Sequence, residues 1–437
     1  MKQSLWTATA AMPSFPPLDG DQTVDVLVVG GGLAGLLCAH ALTEAGADCL
    51  LIEANRICGG VTANTTAKLT SQHGLIYSKL RREFGPDTAR LYWLANEAAL
   101  ERYRRLAKAI PCEFEESPAV VYALDGPEKL TEELEALALL GIPAAWQDPL
   151  PLPFPTAGGI RFDRQARFHP LKFAAGVARK LRICEHTAAR TFAPHRVVTD
   201  RGTIRAKDIV IATHFPMLNK HGAYFLKLYQ HRSYVLALEG GPELEGMYVD
   251  EAENGLSLRN HGELLLLGGG DHRTGKPGGG WAELETVVKR YWPEARERYR
   301  WATQDCMSLD GVPYAGPYGR RTDGLWVAAG FNKWGMTSSM AAAMVLCDRI
   351  QGRRSPYEAV FSPQRTMLRP QLFRNAWEAA ANLLTLSTPR CPHLGCALKW
   401  NPQERSWDCP CHGSRFSEDG RLLDNPATGG THGSPGA

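Results

Sequence analysis

Val24-Asp25-Val26-Leu27-Val28-Val29-Gly30-Gly31-Gly32-Leu33-Ala34-Gly35 is the stretch on which the fold turns. A short apolar run stopped by glycine reads as a buried strand, and the apolar spacing from Leu33 to Ala45 reads as a helix. Cys49 to Ile52 is a second buried strand, so the order strand, tight turn, helix, strand opens the chain as a βαβ unit. Gly30, Gly32 and Gly35 satisfy G-x-G-x-x-G, and Glu53 ends the second strand 18 residues beyond Gly35. Glycines there allow the tight turn and let backbone N–H groups around Gly32, Leu33 and Ala34 reach a pyrophosphate on the positive end of the helix. Glu53 is suited to accept hydrogen bonds from ribose hydroxyls. The fold class expected is α/β, with a dinucleotide-binding unit at its front.

At 437 residues the chain exceeds what one core usually covers, so two or three units are expected. Its 49 basic and 46 acidic side chains leave a net charge of +3, which gives no electrostatic reason to expect nucleic acid. Residues 1–24 hold one Lys, scattered prolines and no continuous apolar core; they read as a mobile or surface-draped arm rather than a secretory signal. The run from Val26 to Leu42 is interrupted by Gly30, Gly31, Gly32, Gly35 and His40, so no membrane span is expected and the protein reads as cytoplasmic.

Further along, Leu91, Leu94, Ala98, Leu106 and Ile110 recur near a 3.6 period and predict a long amphipathic helix from Pro86. Leu130, Leu134 and Leu137 predict another, ending near Gly141. Five prolines between Pro143 and Pro155 predict an irregular crossing. Thr203 to Thr213 reads as a hairpin arm feeding a buried strand, with further strands at Leu236, Leu264 to Leu267 and Trp326 to Ala329. The last long helix of this part is expected from Gly335 to Gln351, stopped by Gly352.

FAD and NAD share the glycine fingerprint, so other features must decide between them. Arg56-Ile57-Cys58-Gly59-Gly60-Val61-Thr62 offers small residues, Gly60 and Thr62 among them, beside the dinucleotide path. Gly330-Phe331-Asn332-Lys333-Trp334-Gly335-Met336-Thr337 follows a buried strand and opens a helix, whose N-terminus can stabilise negative charge on a reduced flavin. Together with Ala212-Thr213 and Asp310-Gly311-Val312-Pro313, in this order, these pieces resemble the D-amino-acid-oxidase-like FAD enzymes over roughly residues 20 to 355. The resemblance implies a Rossmann-like FAD domain of glutathione-reductase type with an inserted mixed-sheet substrate part near 86–155 and 224–300. It also implies that Asn64-Thr65-Thr66-Ala67-Lys68-Leu69-Thr70 runs under the flavin, with Thr66 as a contact. Only one dinucleotide fingerprint is present, so no separate NAD(P)H site is expected.

Eleven cysteines divide into seven singles and a group of four, Cys391, Cys396, Cys409 and Cys411, beside His393 and His412. C-x-H, fifteen residues, then C-x-x-H gives each loop one thiolate and one imidazole, which a Rieske centre needs and which zinc could also accept. The Leu-Gly and Cys-His-Gly-Ser surroundings resemble Rieske loops. That resemblance makes Cys391, His393, Cys409 and His412 the [2Fe–2S] ligands, pairs Cys396 with Cys411 as a disulfide, and turns Ser414 toward a cluster sulfur. A full Rieske domain has a β-sandwich base ahead of the first loop, whereas here Arg369 to Leu384 reads as helix; the small β-rich module of residues 389–437, after a linker and helix over 356–388, must lean on the flavin domain 25–355.

A flavin takes two electrons as hydride and a Rieske centre passes one at a time. The expectation is an FAD-dependent oxidoreductase acting on a small molecule, by family resemblance an amine or amino acid, and draining electrons to an external protein or quinone. Arg232, Tyr234 and His214 are the candidate substrate contacts, Arg being able to grip a carboxylate. Two alternatives stand beside it: an electron-transfer module with no organic substrate, and a flavin oxidase whose tail binds zinc.

Overall fold

The computed structural model describes residues 3–218, 221–386 and 389–431. Strand Gln22–Val29 lies between Cys49–Ile52 and Thr203–Ile211, parallel to both, with Val29 opposite Ile52 and Ile211. Arg182–Cys184 extends the sheet on one side and Leu325–Ala329 on the other, again in parallel. A sheet of this kind is covered on both faces, which is why Val26 to Val29 and Cys49 to Ile52 are apolar nearly throughout and buried. Helix Leu33–Glu44 covers one face and packs against helix Gly335–Ile350, where the Cys347 thiol reaches the Ala41 carbonyl at 3.4 Å. Helix Pro86–Ala107 lies across Gly335–Ile350 in turn. Helix Glu128–Leu140 ends at Gly141, whose φ of +66° is the left-handed cap that glycine favours.

The second eight-stranded sheet runs Arg296–Ser308, Leu228–Glu239, Leu264–Arg273, Ser257–His261, Met247–Asp250, Ala119–Tyr122, Gly159–Phe162, Ala145–Gln147. It is mixed, because Met247–Asp250 and Ala119–Tyr122 pair in parallel while their neighbours are antiparallel. One face buries Tyr234, Leu236, Leu258 and Leu267 under helix Gly280–Tyr291, through Trp281 and Leu284. The other face looks toward the nucleotide-type sheet and contributes Val235, Ala237, Leu266 and Trp301 to the main core.

One expectation is corrected and one narrowed. The proline-rich crossing holds a short edge strand, Ala145–Gln147, because three residues free of proline suffice to pair with Gly159–Phe162 on one side. The arm is not mobile but surface-draped and pinned: helix Leu5–Thr9 buries Leu5 and Trp6, the Trp6 indole N–H donates to Thr65 O at 2.7 Å, and residues 7–17 run along the surface mostly exposed.

The C-terminal module is a four-stranded antiparallel meander of Lys399–Asn401, Ser406–Asp408, Arg415–Ser417 and Leu422–Asp424. Helix Pro370–Leu384 precedes it. No described helix is long and apolar enough to cross a membrane.

Candidate active site and cluster site

Gly30 has φ +111°, and a Cβ there would stand 2.6 Å from Ala212 O. A Cβ on Gly35 would stand 1.9 Å from Gly30 O, so helix and strand approach as closely as they do only because both are glycine. At Gly60 a Cβ would meet nothing, and at Gly32 only Thr62 Oγ1 at 3.8 Å. The chain is thus tight where it must turn and open at the helix N-terminus, which fits a dinucleotide. Thr62 Oγ1 accepts from Leu33 N at 3.1 Å, and Glu53 accepts from Gly31 N at 2.7 Å and Asn55 N at 2.9 Å. Gly30, Gly32, Leu33, Ala34, Gly35, Glu53, Gly60 and Thr62 therefore converge. Arg56 lies beside them with its guanidinium held by Glu185, Nε to Oε2 at 3.0 Å, and by Pro13 O.

The segment through Thr66 and the loop Gly330–Thr337 meet at the far end of this cradle. Gly330 takes φ +72°, and Asn332 and Lys333 also have positive φ, which re-aims the chain into helix Gly335–Ile350. Thr337 Oγ1 donates to Thr70 O at 2.9 Å, Met336 O accepts from the Tyr103 hydroxyl at 2.8 Å, and Trp334 stacks on His73 with ring centroids 5.1 Å apart. These contacts fix the helix N-terminus against the flavin-type segment.

A narrow cavity of about 10 Å³ lies where both loops meet the second sheet, lined by Lys68, Thr70, Gln72, Val121, Met247 and Trp334 among others. Lys68 Nζ donates to Ser257 Oγ and, at 3.2 Å, to Thr66 Oγ1. Burial, and then the Arg259 guanidinium, bring the Lys68 ammonium down to about 7. Tyr248 pairs with Leu258 and Val249 with Ser257, so Met247 and Arg259 stand side by side one step along that ladder. Arg259 is fully buried, its three guanidinium nitrogens have no hydrogen-bond partner among the described residues, and burial lowers it to about 9. Lys333 pairs with Asp271, and burial raises the carboxyl of Asp305 to about 6. Lys68, Arg259, Asp271 and Asp305 were not legible as site residues: each stands among ordinary polar neighbours with no spacing rule, and only the packing of the elements brings them together.

The three candidate substrate contacts lie elsewhere. Arg232 Nε donates to Glu404 Oε1 at 2.9 Å and the Tyr234 hydroxyl donates to the same oxygen at 3.0 Å. His214 Nε2 contacts Gln230 Oε1 at 3.1 Å, beside Thr213 O, which accepts from Asn425 Nδ2 at 2.6 Å. Arg232 and Tyr234 hold the C-terminal module, His214 lies beside it on Gln230, and none of the three lines the cavity. Glu404 also receives Arg415 at 2.8 Å; burial works against its ionisation, but Arg232 and Arg415 hold it down to about 2.

The two cysteine loops are built alike. Gly395 N donates to Cys391 O and Gly413 N to Cys409 O, each at 2.9 Å, and both glycines have φ just above +80°. The Cys391 thiol touches Cys409 and the Ser414 hydroxyl. The rings of His393 and His412 lie 5.0 Å apart and near perpendicular. Burial lowers both imidazoles to about 4, which keeps them neutral and able to ligate. Two thiols on one side and two imidazoles on the other fit a [2Fe–2S] cluster bound by Cys391, Cys409, His393 and His412. The thiols of Cys396 and Cys411 lie within 4.8 Å of one another, with no disulfide formed. Gln304 Nε2 donates to Gly413 O at 2.9 Å, and Arg273 Nε to Pro410 O at 3.2 Å, so the second loop rests directly on the ends of strands of the second sheet.

Comparison with known proteins agrees with both sites. The DAO family, described as FAD dependent oxidoreductase, matches residues 25–349, and the Rieske [2Fe-2S] domain matches residues 376–433. The Rieske 2Fe-2S iron-sulfur protein YhfW of Bacillus subtilis (strain 168) is 34% identical over 490 aligned residues, covering 97% of this chain and 96% of that one. Gamma-glutamylputrescine oxidoreductase of Escherichia coli (strain K12) is 27% identical over 219 residues, 45% of this chain and 50% of that one. Glycine oxidase from Geobacillus kaustophilus shares the fold, with a TM-score of 0.66 at 20% identity over 79% of this chain and all of that one. With glycine cradle, flavin-type loops and paired Cys/His loops all in place, the chain belongs to the DAO family of FAD-dependent oxidoreductases, carrying a Rieske [2Fe–2S] domain over residues 376–433.

Proposed function

We propose that this protein oxidises an amine or amino-acid-like substrate at a C–N bond and delivers the electrons, through its Rieske centre, to an external acceptor that is a protein or a quinone. FAD in the cradle supplies hydride acceptance and the cluster supplies one-electron transfer. The observation that carries this reading is the seating of the cluster loop: Gly413 O accepts from Gln304, and two residues along the same strand Cys306 O accepts from Asn332 N, at 3.0 Å, in the loop that opens the flavin-type helix. A short bonded route thus joins the two cofactor sites inside one chain.

The substrate part of the reading is supported by the buried charges beside this cavity. Arg259 and Lys68 are cations without a carboxylate bonded to either, so an anionic group entering beside Met247 and Trp334 would relieve their burial. Lys68, near neutrality, can hold or release a proton at Nζ as an ammonium substrate loses its own. The proximity of Cys396 and Cys411, with Cys409 beside both, supports their closing as a disulfide around the cluster.

The test is an anaerobic screen of amines and amino acids against the purified protein, with flavin absorbance and the electron paramagnetic resonance of the reduced cluster followed together. Flavin bleaching followed by a cluster signal supports the relay. Stoichiometric hydrogen peroxide in air with an unreduced cluster would make it a flavin oxidase with an inert tail. Cluster reduction only by a partner flavoprotein would make it an electron-transfer module.

A further inference from the structure

Helix Pro370–Leu384 faces the wrong way for a soluble protein. Asn375 and Asn382 point inward and are buried. Asn375 Oδ1 accepts from Arg273 Nη1 at 3.0 Å, Asn382 O accepts from Ala397 N at 3.0 Å, and Glu378 turns inward to Lys276 at 2.7 Å. Half a turn away Phe373, Trp377 and Leu384 are 67%, 76% and 80% exposed, with Ala380 and Ala381 exposed between them. Leu368 and Leu386, 76% and 93% exposed, continue the stripe at either end. Amphipathic helices of globular domains bury the apolar side, and contiguous apolar patches this long mark an interaction surface.

We propose that this face lies on an anionic lipid bilayer, with the helix in the plane of the interface. Fifteen residues rise only about 22 Å, short of the ~30 Å hydrocarbon core, so the helix lies on the membrane and does not cross it. Trp and Phe with Leu on the outward side, and arginine around them, suit the headgroup boundary. Between residues 353 and 390 the chain has six arginines and two glutamates. Three of these arginines are paired with acids, Arg353 with Asp348, Arg365 with Asp310 and Arg369 with Glu83, and both glutamates are engaged with protein cations, Glu358 with Arg349 and Glu378 with Lys276; Arg354, Arg390 and, on the exposed face, Arg374 have no ion pair among the described residues. That surplus complements an anionic leaflet. It disfavours a second copy of the chain, whose twofold contact would set Arg374 against the same basic surface.

The same face leads to the cluster. Leu383 approaches Gly395, and Leu394, next to His393, is 41% exposed. His412 by contrast is buried, its Nε2 2.9 Å from Phe225 O. The exposed side of the cluster therefore looks the same way as the apolar stripe, and an acceptor dissolved in the bilayer comes within reach of it. This last point rests on the relay proposed above; membrane binding itself does not.

Flotation of the holoprotein with vesicles of phosphatidylcholine containing phosphatidylglycerol, and with phosphatidylcholine alone, tests the proposal, alongside the solution mass without lipid. Expected are a monomer, binding to the anionic vesicles that salt weakens, and a loss of about tenfold or more in Phe373→Glu with Trp377→Glu, while Trp377→Phe binds as before. Flavin and cluster spectra of each variant report that the fold is kept. No binding to anionic vesicles overturns the proposal, as does a dimer that Trp377→Glu splits or binding that the glutamate variant retains. Because vesicle binding needs no electron transfer, its failure is read separately from failure of the relay.

Discussion

Arg232, on strand Leu228–Glu239, and Glu404, in the cluster module, form an ion pair in which Arg232 is buried, Glu404 is nearly so, and Arg415 closes the other side of the carboxylate. Its consequence is that the module is held as part of the oxidoreductase and not tethered beside it. Glu404→Gln leaves Arg232 buried without its counter-charge, at a cost of about 3–5 kcal/mol. Stopped-flow should find flavin reduction by dithionite unchanged and flavin-to-cluster transfer slowed by about tenfold or more. Equal transfer rates would separate docking from electron transfer.

The same pair sets a pH dependence. Glu404 is held at about 2 when folded, below its unfolded value, so its contribution is present above about pH 4.3 and is lost as pH falls toward 2. Thermal unfolding between pH 7 and pH 3 should show the wild type losing its advantage over Glu404→Gln only at the acid end. A constant difference across that range would contradict the assignment.

Lys68 carries the opposite sign. Its folded value of about 7 lies below the unfolded one, so the native state gains stability as pH rises from about 7 to about 10.4 and is penalised below. Lys68→Met should remove that slope and, without substrate, raise stability at neutral pH by about 1–3 kcal/mol. Substrate-driven flavin reduction should fall while dithionite reduction stays unchanged.

Gly35→Ala places a methyl 1.9 Å from Gly30 O, where neither helix nor strand can yield. The variant should purify with little or no flavin, measured by absorbance after denaturation, and its loss of stability should exceed the ~1 kcal/mol that alanine would add in an ordinary helix. Full flavin content would show that the cradle can widen.

Trp6 fills the core under the Thr65 segment, and Trp6→Ala should cost about 3–5 kcal/mol in thermal unfolding and weaken flavin retention. A variant as stable as the wild type would return the first residues to the status of an unpinned arm.

Local chemistry made much of this protein legible in its sequence. The glycine fingerprint, Glu53, the loop opening at Gly330 and the paired Cys/His loops each declare themselves within a few residues, because a turn beside a pyrophosphate and a four-ligand cluster constrain neighbouring positions. The long helices were legible from their period. What the tertiary structure alone decided is the pairing of distant polar residues: Arg232 with Glu404 across 172 positions, Trp6 with Thr65 across 59, Lys68 with Ser257 across 189. An isolated Arg, Trp or Lys has no spacing rule, and its role depends on which surface the folded sheets present to it. The outward apolar face of Pro370–Leu384 belongs to the same class, since periodicity shows that a helix has two sides, whereas only packing shows which side the protein keeps.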